Sequence, residues 1–375
     1  MIIHVIDNLL PESGGPTSVV IELAKQQALS GRKVAVLCRV APTTPQAAAA
    51  LERAWEGTGV RFFQVPSGRQ GCRAEVRRVL DELRPSVVHL HCTWEHILRV
   101  AEREARRRGI PTVLSTHGML HPYPLSLKRF KKQLYLSVFG SLMFSHVAEY
   151  LALNSEEADY ISRRFGWRAS VLPNGVEIER YRDVTDGSFR ARVPNLGDRP
   201  YVLFVGRLHP IKGCDLLIQS FALARSQGLR MDLVFMGPDE GALGGLRALV
   251  EKLGISNSVH FVGGMFGAEK LDALAGCSIF AHRPRFEGFG IAVIEGMASS
   301  RPVLTTRNCH LELAAKQHAL LLSEDEDQAF ALGLLHLSRD PVSALELGTR
   351  GRQWAESNCS WTSIMAATDA VYSRV

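Results

Sequence analysis

Glu287 and Glu295 stand eight residues apart, and Gly288 and Gly290 directly follow the first of them, in a stretch reading FAHRPRFEGFGIAVIEGMASSRP from Phe280 to Pro302. Two carboxylates can serve as acid and nucleophile, or as two separate acceptors for ligand hydroxyls. On one helix they would be separated by about 12 Å along the axis. Glycoside hydrolases that retain configuration need their carboxyls ~5–5.5 Å apart, and those that invert it ~6.5–9.5 Å. The spacing therefore favours two hydrogen-bonding tasks along an extended ligand. Arg207 and Lys212 lie in a second loop bounded by Gly206 and Gly213. Two cations on such a loop suit a diphosphate, arginine binding it bidentately and lysine as a point charge. Read alone, the same residues also fit an ordinary strand–helix corner with a capping acid, and solvated surface charges.

Other chemistry-bearing residues are less complete. On a strand His89 and His91, spaced by two, share one face only at the strand's end, and no acid or cysteine completes a set with them, so no metal site is expected. Asp325-Glu326-Asp327 is a literal D-x-D, but acids at a helix start explain it without a metal. Arg283 and Arg285 read either as added contacts to a bound ligand or as surface charges, with the surface reading favoured. The run Leu127–Lys132, with Lys128, Arg129, Lys131 and Lys132 among apolar residues, reads either as a solvated helix face or as a dock for anionic lipid or a lipid-linked phosphate.

These residues need elements to hold them. The 375 residues allow about two domains, and 46% hydrophobic with 22% charged residues is a globular composition. The net charge of +6 is uneven: 27 Lys+Arg face 19 Asp+Glu through Arg192, and 17 face 19 after it. A basic first half could meet nucleic acid, membrane or a phosphorylated substrate, but no zinc spacing, basic repeat or RNA-binding signature supports nucleic acid. Seven scattered cysteines without a C-x-x-C pair read as reduced core residues of a cytoplasmic protein. Met1–Ile6 is a strand start rather than a signal peptide. The apolar window Leu134–Leu153 contains His146 and Glu149, which reads as a helix to about Phe144 followed by a buried strand, not a membrane span.

Ile2–Ile6 is an apolar strand, the Gly14-Gly15 loop follows, and apolar positions then recur at helical spacing to Leu29. Further strand–helix units lead to Thr112–Ser115, with Thr116-His117-Gly118-Met119 at its C-terminal end. The pattern restarts at Tyr201–Val205 with the Arg207–Lys212 loop, and continues to the strand Cys277–His282 and the helix Ile291–Ser299. The fold class is α/β: two Rossmann-like β/α/β domains facing a central cleft, with ligands beyond the strand C-termini. The expected division is 1–172 plus 358–375 for the first domain and 173–357 for the second.

Gly206-Arg-Leu-x-x-x-Lys-Gly213, F-E-G-F-G-x-x-x-x-E from Phe286 to Glu295, His117-Gly118-Met119 and Pro173-Asn-Gly-Val176 occur in an order that resembles the group 1 glycosyltransferases, family 4, of GT-B fold. The Gly14-Gly15 loop, Gly237-Pro-Asp-Glu and Ser360-Trp361 fit as well, so the resemblance spans essentially the whole chain and is nearest to bacterial enzymes of surface-polysaccharide assembly.

The resemblance implies metal-independent transfer of a sugar from a nucleotide-diphosphate donor (a UDP- or GDP-sugar), with retention, to a glycan or polyprenyl-diphosphate-linked acceptor. It assigns Arg207 and Lys212 to the diphosphate and Glu295 to the ribose. Glu287 with Gly288, Phe289 and Gly290 falls to the donor sugar, His117 to the reacting centre, and Gly14-Gly15 to close approach of the first domain. Independently of the resemblance, Trp94, His91 and Tyr123 are candidates for the acceptor side, because first-domain loops face the cleft, and read equally well as core residues.

Departures from the pattern are His282-Arg283-Pro284-Arg285 in place of Pro-Ser before the first acid, and Gly296 where alanine is common. They bear on base and sugar preference rather than reaction class. Rival readings are a GT-B phosphorylase, a nucleotide-sugar epimerase or a non-catalytic nucleotide-sugar-binding partner. The expected location is the cytoplasm, with peripheral contact to an anionic membrane through Lys128–Lys132.

Overall fold

A continuous apolar strand has no face to offer water, so it must be covered on both sides, as in parallel α/β sheets. In a computed structural model, which describes all residues except 11–14, 43, 128, 183, 185–188 and 194 and leaves out the side chains of 138–143, the run near the N-terminus behaves this way. It forms β1 (Ile2–Asn8), followed by β2 (Val34–Val40), β3 (Arg61–Gln64), β4 (Val87–His91), β5 (Thr112–Ser115), β6 (Glu149–Ala152) and β7 (Ala169–Val171). These seven form one sheet in the order β3-β2-β1-β4-β5-β6-β7, and the ladders are parallel. Ile3 and Val5 point to one face, where they meet Val76 and Leu80 of the helix Arg69–Leu83 and Leu98 of the helix His96–Arg106. The opposite face carries Ile2 and Ile6. It is covered by Val20, Leu23 and Ala24 of the helix Gly15–Leu29 and by Trp361, Ile364 and Val371 of the last helix, Trp361–Tyr372.

The second sheet repeats the plan with β8 (Tyr201–Val205), β9 (Asp232–Met236), β10 (Val259–Gly263), β11 (Ile279–His282), β12 (Val303–Thr306) and β13 (Leu321–Ser323) in the order β10-β9-β8-β11-β12-β13. Leu217 and Phe221 of the helix Cys214–Ser226 and Phe330 and Leu334 of the helix Asp327–Arg339 pack on one face. On the other lies the helix Ile291–Ala298. Its Gly296 lets the helix approach β11: a Cβ there would sit 2.7 Å from Phe280 Cγ. That contact explains why glycine replaces the commoner alanine.

In both sheets the strand order reverses beside the first strand, between β1 and β4 and between β8 and β11. Loops leaving the C-terminal ends of those strands diverge at such a switch point, which makes a crevice for ligand. The loops that carry the sequence motifs of the second half leave β8 and β11.

The chain divides into one unit of Met1–Gly175 with Trp361–Val375 and another of Val176–Ser360. The boundaries fall three residues later than the sequence suggests. Trp361 belongs to the first unit because its ring lies against Gly175, where a Cβ would meet Trp361 at 2.5 Å. Val176 and Ser360 pair with each other in the second. The window Leu134–Leu153 resolves into the helix Arg129–Met143, a short turn and β6. Among the described residues no helix is long and apolar enough to cross a membrane.

Candidate functional site

In the second unit, Lys212 ends a short turn, Pro210–Lys212, and Gly213 with φ 63° redirects the chain into the helix Cys214–Ser226. Lys212 Nζ donates to Glu287 Oε2. His282, at the end of β11, donates its Nε2–H to the same oxygen over 3.3 Å. Burial pushes the Glu287 carboxyl up, but the His282 hydrogen bond and the Lys212 charge outweigh it and hold the group down to about 2. Glu287 is therefore a carboxylate at neutral pH. Phe289 is buried beneath the loop, and Gly290, with φ 70°, caps the helix Ile291–Ala298. The first amides of that helix lack intrahelical acceptors and attract negative charge.

Arg207 sits on the other side of the same loop, half exposed, its Nη1 donating to both oxygens of Glu240 at 2.8 Å. Glu295 lies within the helix, where Lys270 Nζ at 2.6 Å and the Tyr181 hydroxyl at 2.9 Å both donate to its Oε1. Among the described residues no hydrogen bond to its Oε2 is found. The two acids thus have different partners and different surroundings, in keeping with two tasks rather than one shared reaction.

Arg283 is not a surface charge. It is 3% exposed, and its guanidinium donates to Ser220 Oγ at 2.7 Å, Leu216 O at 3.1 Å and Asp325 Oδ1 at 3.0 Å, with Asp327 as a further partner. The D-x-D acids are thereby committed to an arginine. The residues that replace Pro-Ser therefore brace the loop: His282 orients Glu287, and Arg283 ties β11 to the helices Cys214–Ser226 and Asp327–Arg339. Arg285 does lie at the surface, paired with Asp215 at 2.6 Å.

In the first unit, His117 follows β5 with φ 50°, a left-handed conformation, and Gly118 follows with φ 80°. The buried Glu157 holds this turn, its Oε1 accepting from Thr116 Oγ1 at 2.8 Å and Leu120 N at 3.1 Å and its Oε2 from Leu153 N at 3.2 Å. From sequence Glu157 is one of two acids in a helix first turn; only the inward direction of its side chain marks it. Glu157→Ala leaves the Leu120 and Leu153 amides unpaired, at about 1–3 kcal/mol for each group, while the Thr116 hydroxyl can turn to Leu151 O at 3.2 Å. Urea denaturation is expected to show a loss of roughly 3 kcal/mol. A loss below about 1 kcal/mol would show that water replaces the carboxylate.

His117 is also the end of a row of imidazoles. His91 Nδ1 lies 3.1 Å from His117 Nε2, and His91 Nε2 lies 2.9 Å from His4 Nδ1. His91 is completely buried, so it does not line an acceptor surface. Nitrogens of His4, His89 and His91 come within 4.8 Å of one another. Each of these rings uses both nitrogens in hydrogen bonds, which makes the cluster a network and not an open ligand cage. Gly15 begins the helix Gly15–Leu29, whereas Gly14 lies outside the described residues.

The acidic site gives a further expected result. The folded-state value of Glu287 lies below its ordinary 4.5, so the stability it contributes is complete above that value and is lost as pH falls toward about 2. The stability gap between the wild type and Glu287→Gln is expected to narrow across that window in denaturation series at stepped pH. A gap that is constant from pH 5 to pH 2 would contradict the ion pair, on the same linkage argument.

Comparison with known proteins addresses the family and the fold. Residues 14–175 match the glycosyl transferase 4-like domain, and residues 187–354 match the glycosyl transferases group 1. A D-inositol 3-phosphate glycosyltransferase of Streptomyces griseus is 27% identical over 402 aligned positions, covering 96% of this chain and 84% of that protein. The Anabaena protein HepE, solved in complex with UDP and glucose, superposes with a TM-score of 0.80 at 19% identity, covering 100% of this chain and 99% of that one. WaaG, a glycosyltransferase involved in lipopolysaccharide biosynthesis, superposes with a TM-score of 0.70 at 18% identity, covering 99% of each. At these identities the solved structures speak to the fold, which is GT-B. With both halves matched and the motif residues placed on the loops of the strand-order switch, the chain belongs to the group 1 glycosyltransferases.

Proposed function

We propose that the protein transfers a sugar, with retention and without a metal, from a UDP- or GDP-sugar to a glycan or polyprenyl-diphosphate-linked acceptor in surface-polysaccharide assembly. The observation that carries the reading is the cluster Lys212–Glu287–His282 at the β8/β11 switch point, with Arg207 across the same loop. Lys212 and Arg207 take the diphosphate, and its negative charge displaces their carboxylate partners. Glu287, released toward the sugar, accepts from hydroxyls beside the amides of Gly288, Phe289 and Gly290. Glu295 Oε2 accepts from the ribose, and His117 acts at the reacting centre.

Charge develops on the leaving diphosphate during transfer, and preorganised cations and helix-start amides stabilise it there without waiting for solvent to reorganise. Asp325 and Asp327 are paired with Arg283. Transfer on the front face, with the leaving phosphate helping to deprotonate the acceptor, needs no nucleophile from the chain.

For the acceptor side, a cavity of about 580 Å³ in the first unit is lined by Arg129, Lys132 and Arg164 over Leu125, Leu136 and Tyr160. Beside it Phe130 is 88% exposed. Cations above an apolar floor suit a phosphate joined to a lipid, and the exposed ring suits an anionic membrane surface. Lys128 lies outside the described residues.

A panel of UDP- and GDP-sugars screened by thermal shift tests the donor. One of them is expected to stabilise the protein by about 2.7 kcal/mol at a hundred times its Kd, with and without EDTA. If no nucleotide sugar raises the melting temperature, the reading fails. The anomeric configuration of the product, read by NMR, then tests retention.

A further inference from the structure

Four buried hydrogen-bonding groups stand behind His117 on the sheet face covered by the helices Gly15–Leu29 and Trp361–Tyr372. His4 on β1 and His91 on β4 share that face with His89, and Gln27 reaches them from the first helix, all four being 0% exposed. The order of contacts is Gln27 Oε1 to His4 Nε2 at 2.7 Å, His4 Nδ1 to His91 Nε2 at 2.9 Å, and His91 Nδ1 to His117 Nε2 at 3.1 Å.

A neutral imidazole has one N–H and one lone pair, so a row of them can hold only one direction at a time. Gln27 Oε1 is a carbonyl oxygen and only accepts. His4 therefore carries its proton on Nε2 and offers the lone pair of Nδ1 to His91. His91 must carry its proton on Nε2 and offers Nδ1 to His117. His117 in turn carries its proton on Nε2, and its Nδ1 is a lone pair.

The premise of neutrality holds. Burial lowers His4 and His117 to about 4 and puts His89 and His91 well below their ordinary range.

A second branch leaves from the nitrogen of the same amide. Gln27 Nε2 donates to the Tyr372 hydroxyl at 3.3 Å. That hydroxyl is 2.7 Å from His89 Nδ1 and sends its own proton there, which leaves His89 Nε2–H to donate to Ser115 Oγ at 2.8 Å. With the oxygen of Gln27 on His4 and its nitrogen on Tyr372, both branches are satisfied together. Reversing the amide would reverse every bond in the His4 branch and leave His117 with a protonated Nδ1.

We infer that Gln27, held by Tyr372, is a positioning residue that sets the tautomer of His117 through His4 and His91, so that His117 presents an unprotonated Nδ1 to its ligand. Nε2 is committed to His91 while the side chain of His117 is partly exposed, so Nδ1 is the nitrogen a ligand can use. An acceptor there takes a hydrogen bond from a hydroxyl and repels a phosphate oxygen. Resting on the proposed function, this makes His117 a reader of a sugar hydroxyl and not a diphosphate contact.

The test needs no substrate. The full chain is labelled with ¹⁵N in its histidines and examined by long-range ¹H–¹⁵N correlation at neutral pH, with signals assigned by their loss in His4→Asn, His91→Asn and His117→Asn. The expected wild-type pattern is a single tautomer for His4, His91 and His117, protonated at Nε2 in each. Gln27→Met, which keeps the volume and removes the acceptor, is expected to turn His4 and His117 into tautomer mixtures. Tyr372→Phe, which frees the amide to turn, is expected to do the same more weakly.

A wild-type His117 protonated at Nδ1, a single unchanged tautomer in Gln27→Met, or a zinc-dependent shift of the His4 and His91 signals would each overturn the inference. If Gln27→Met fails to fold, the wild type and Tyr372→Phe still decide. With the nucleotide sugar that the wild type turns over, Gln27→Met is expected to lose about tenfold in kcat, the scale seen when the partner that orients a histidine is removed. A wild type that turns over no nucleotide sugar would defeat the transferase reading, while the tautomers still decide this one.

Discussion

Replacing Lys212 with alanine is expected to lower turnover of the nucleotide-sugar donor by roughly two to three orders of magnitude, the scale of losing one fixed charge-stabilising group, and to weaken donor binding sharply. The cation is lost where charge develops on the leaving diphosphate. Glu287 is at the same time left with the side chain of His282, a histidine whose protonation burial disfavours, so a carboxylate faces the incoming phosphates without its neutraliser. Steady-state rates with donor titration by calorimetry separate the two effects. Lys212→Arg keeps the charge but not its placement, and is expected to recover binding more than turnover. Arg207→Ala is expected to act in the same direction. Turnover of Lys212→Ala close to that of the wild type would remove this loop from the diphosphate.

Gly213→Ala is expected to be severely damaging to the fold. The residue has φ 63°, and a Cβ there would lie 2.0 Å from the carbonyl oxygen of Arg283. The left-handed conformation costs an alanine roughly 1–2 kcal/mol. The overlap is with backbone, so no rotamer relieves it, and Arg283 cannot retreat because Ser220, Asp325 and Asp327 hold it. A total loss beyond about 4 kcal/mol, the range reserved for a few severe mechanisms, is expected in urea denaturation. Lys212 would be displaced with the turn. A loss below about 1 kcal/mol would mean that the β8 and β11 loops are not packed as described.

How much of this could be read from residues alone differs from place to place. The loops after β8 and β11 were legible because apolar runs ending in glycine mark strand C-termini, and a repeated β/α pattern places those termini at one edge. The helix and strand within Leu134–Leu153 were legible because His146 and Glu149 interrupt it. Arg283 was not legible: a charged residue beside a proline looks solvated, and its partners lie 42 and 67 residues away in sequence. His282 has the same character, since its value depends on Glu287 turning back over the end of β11. Gly296 could be noticed as unusual, but its reason is the ring of Phe280 on another element. For the imidazole row, the His89–His91 spacing of two fixes a shared face. His4 joins them only through the pairing of β1 with β4, and Gln27 only through helix packing.

The last helix has a consequence for how the chain is made. Synthesis proceeds from the N-terminus, so β1 to β7 leave the ribosome long before residues 361–375. Yet Tyr372 supplies the hydroxyl between Gln27 and His89, Trp361 covers Gly175, and Arg374 pairs with the fully buried Glu149. Until those residues emerge, a carboxylate and an imidazole meant for the interior lack partners that come from the end of the chain, and the first unit to be translated is the last to be completed. A chain stopped short of Trp361 carries the whole second unit and an unfinished first one.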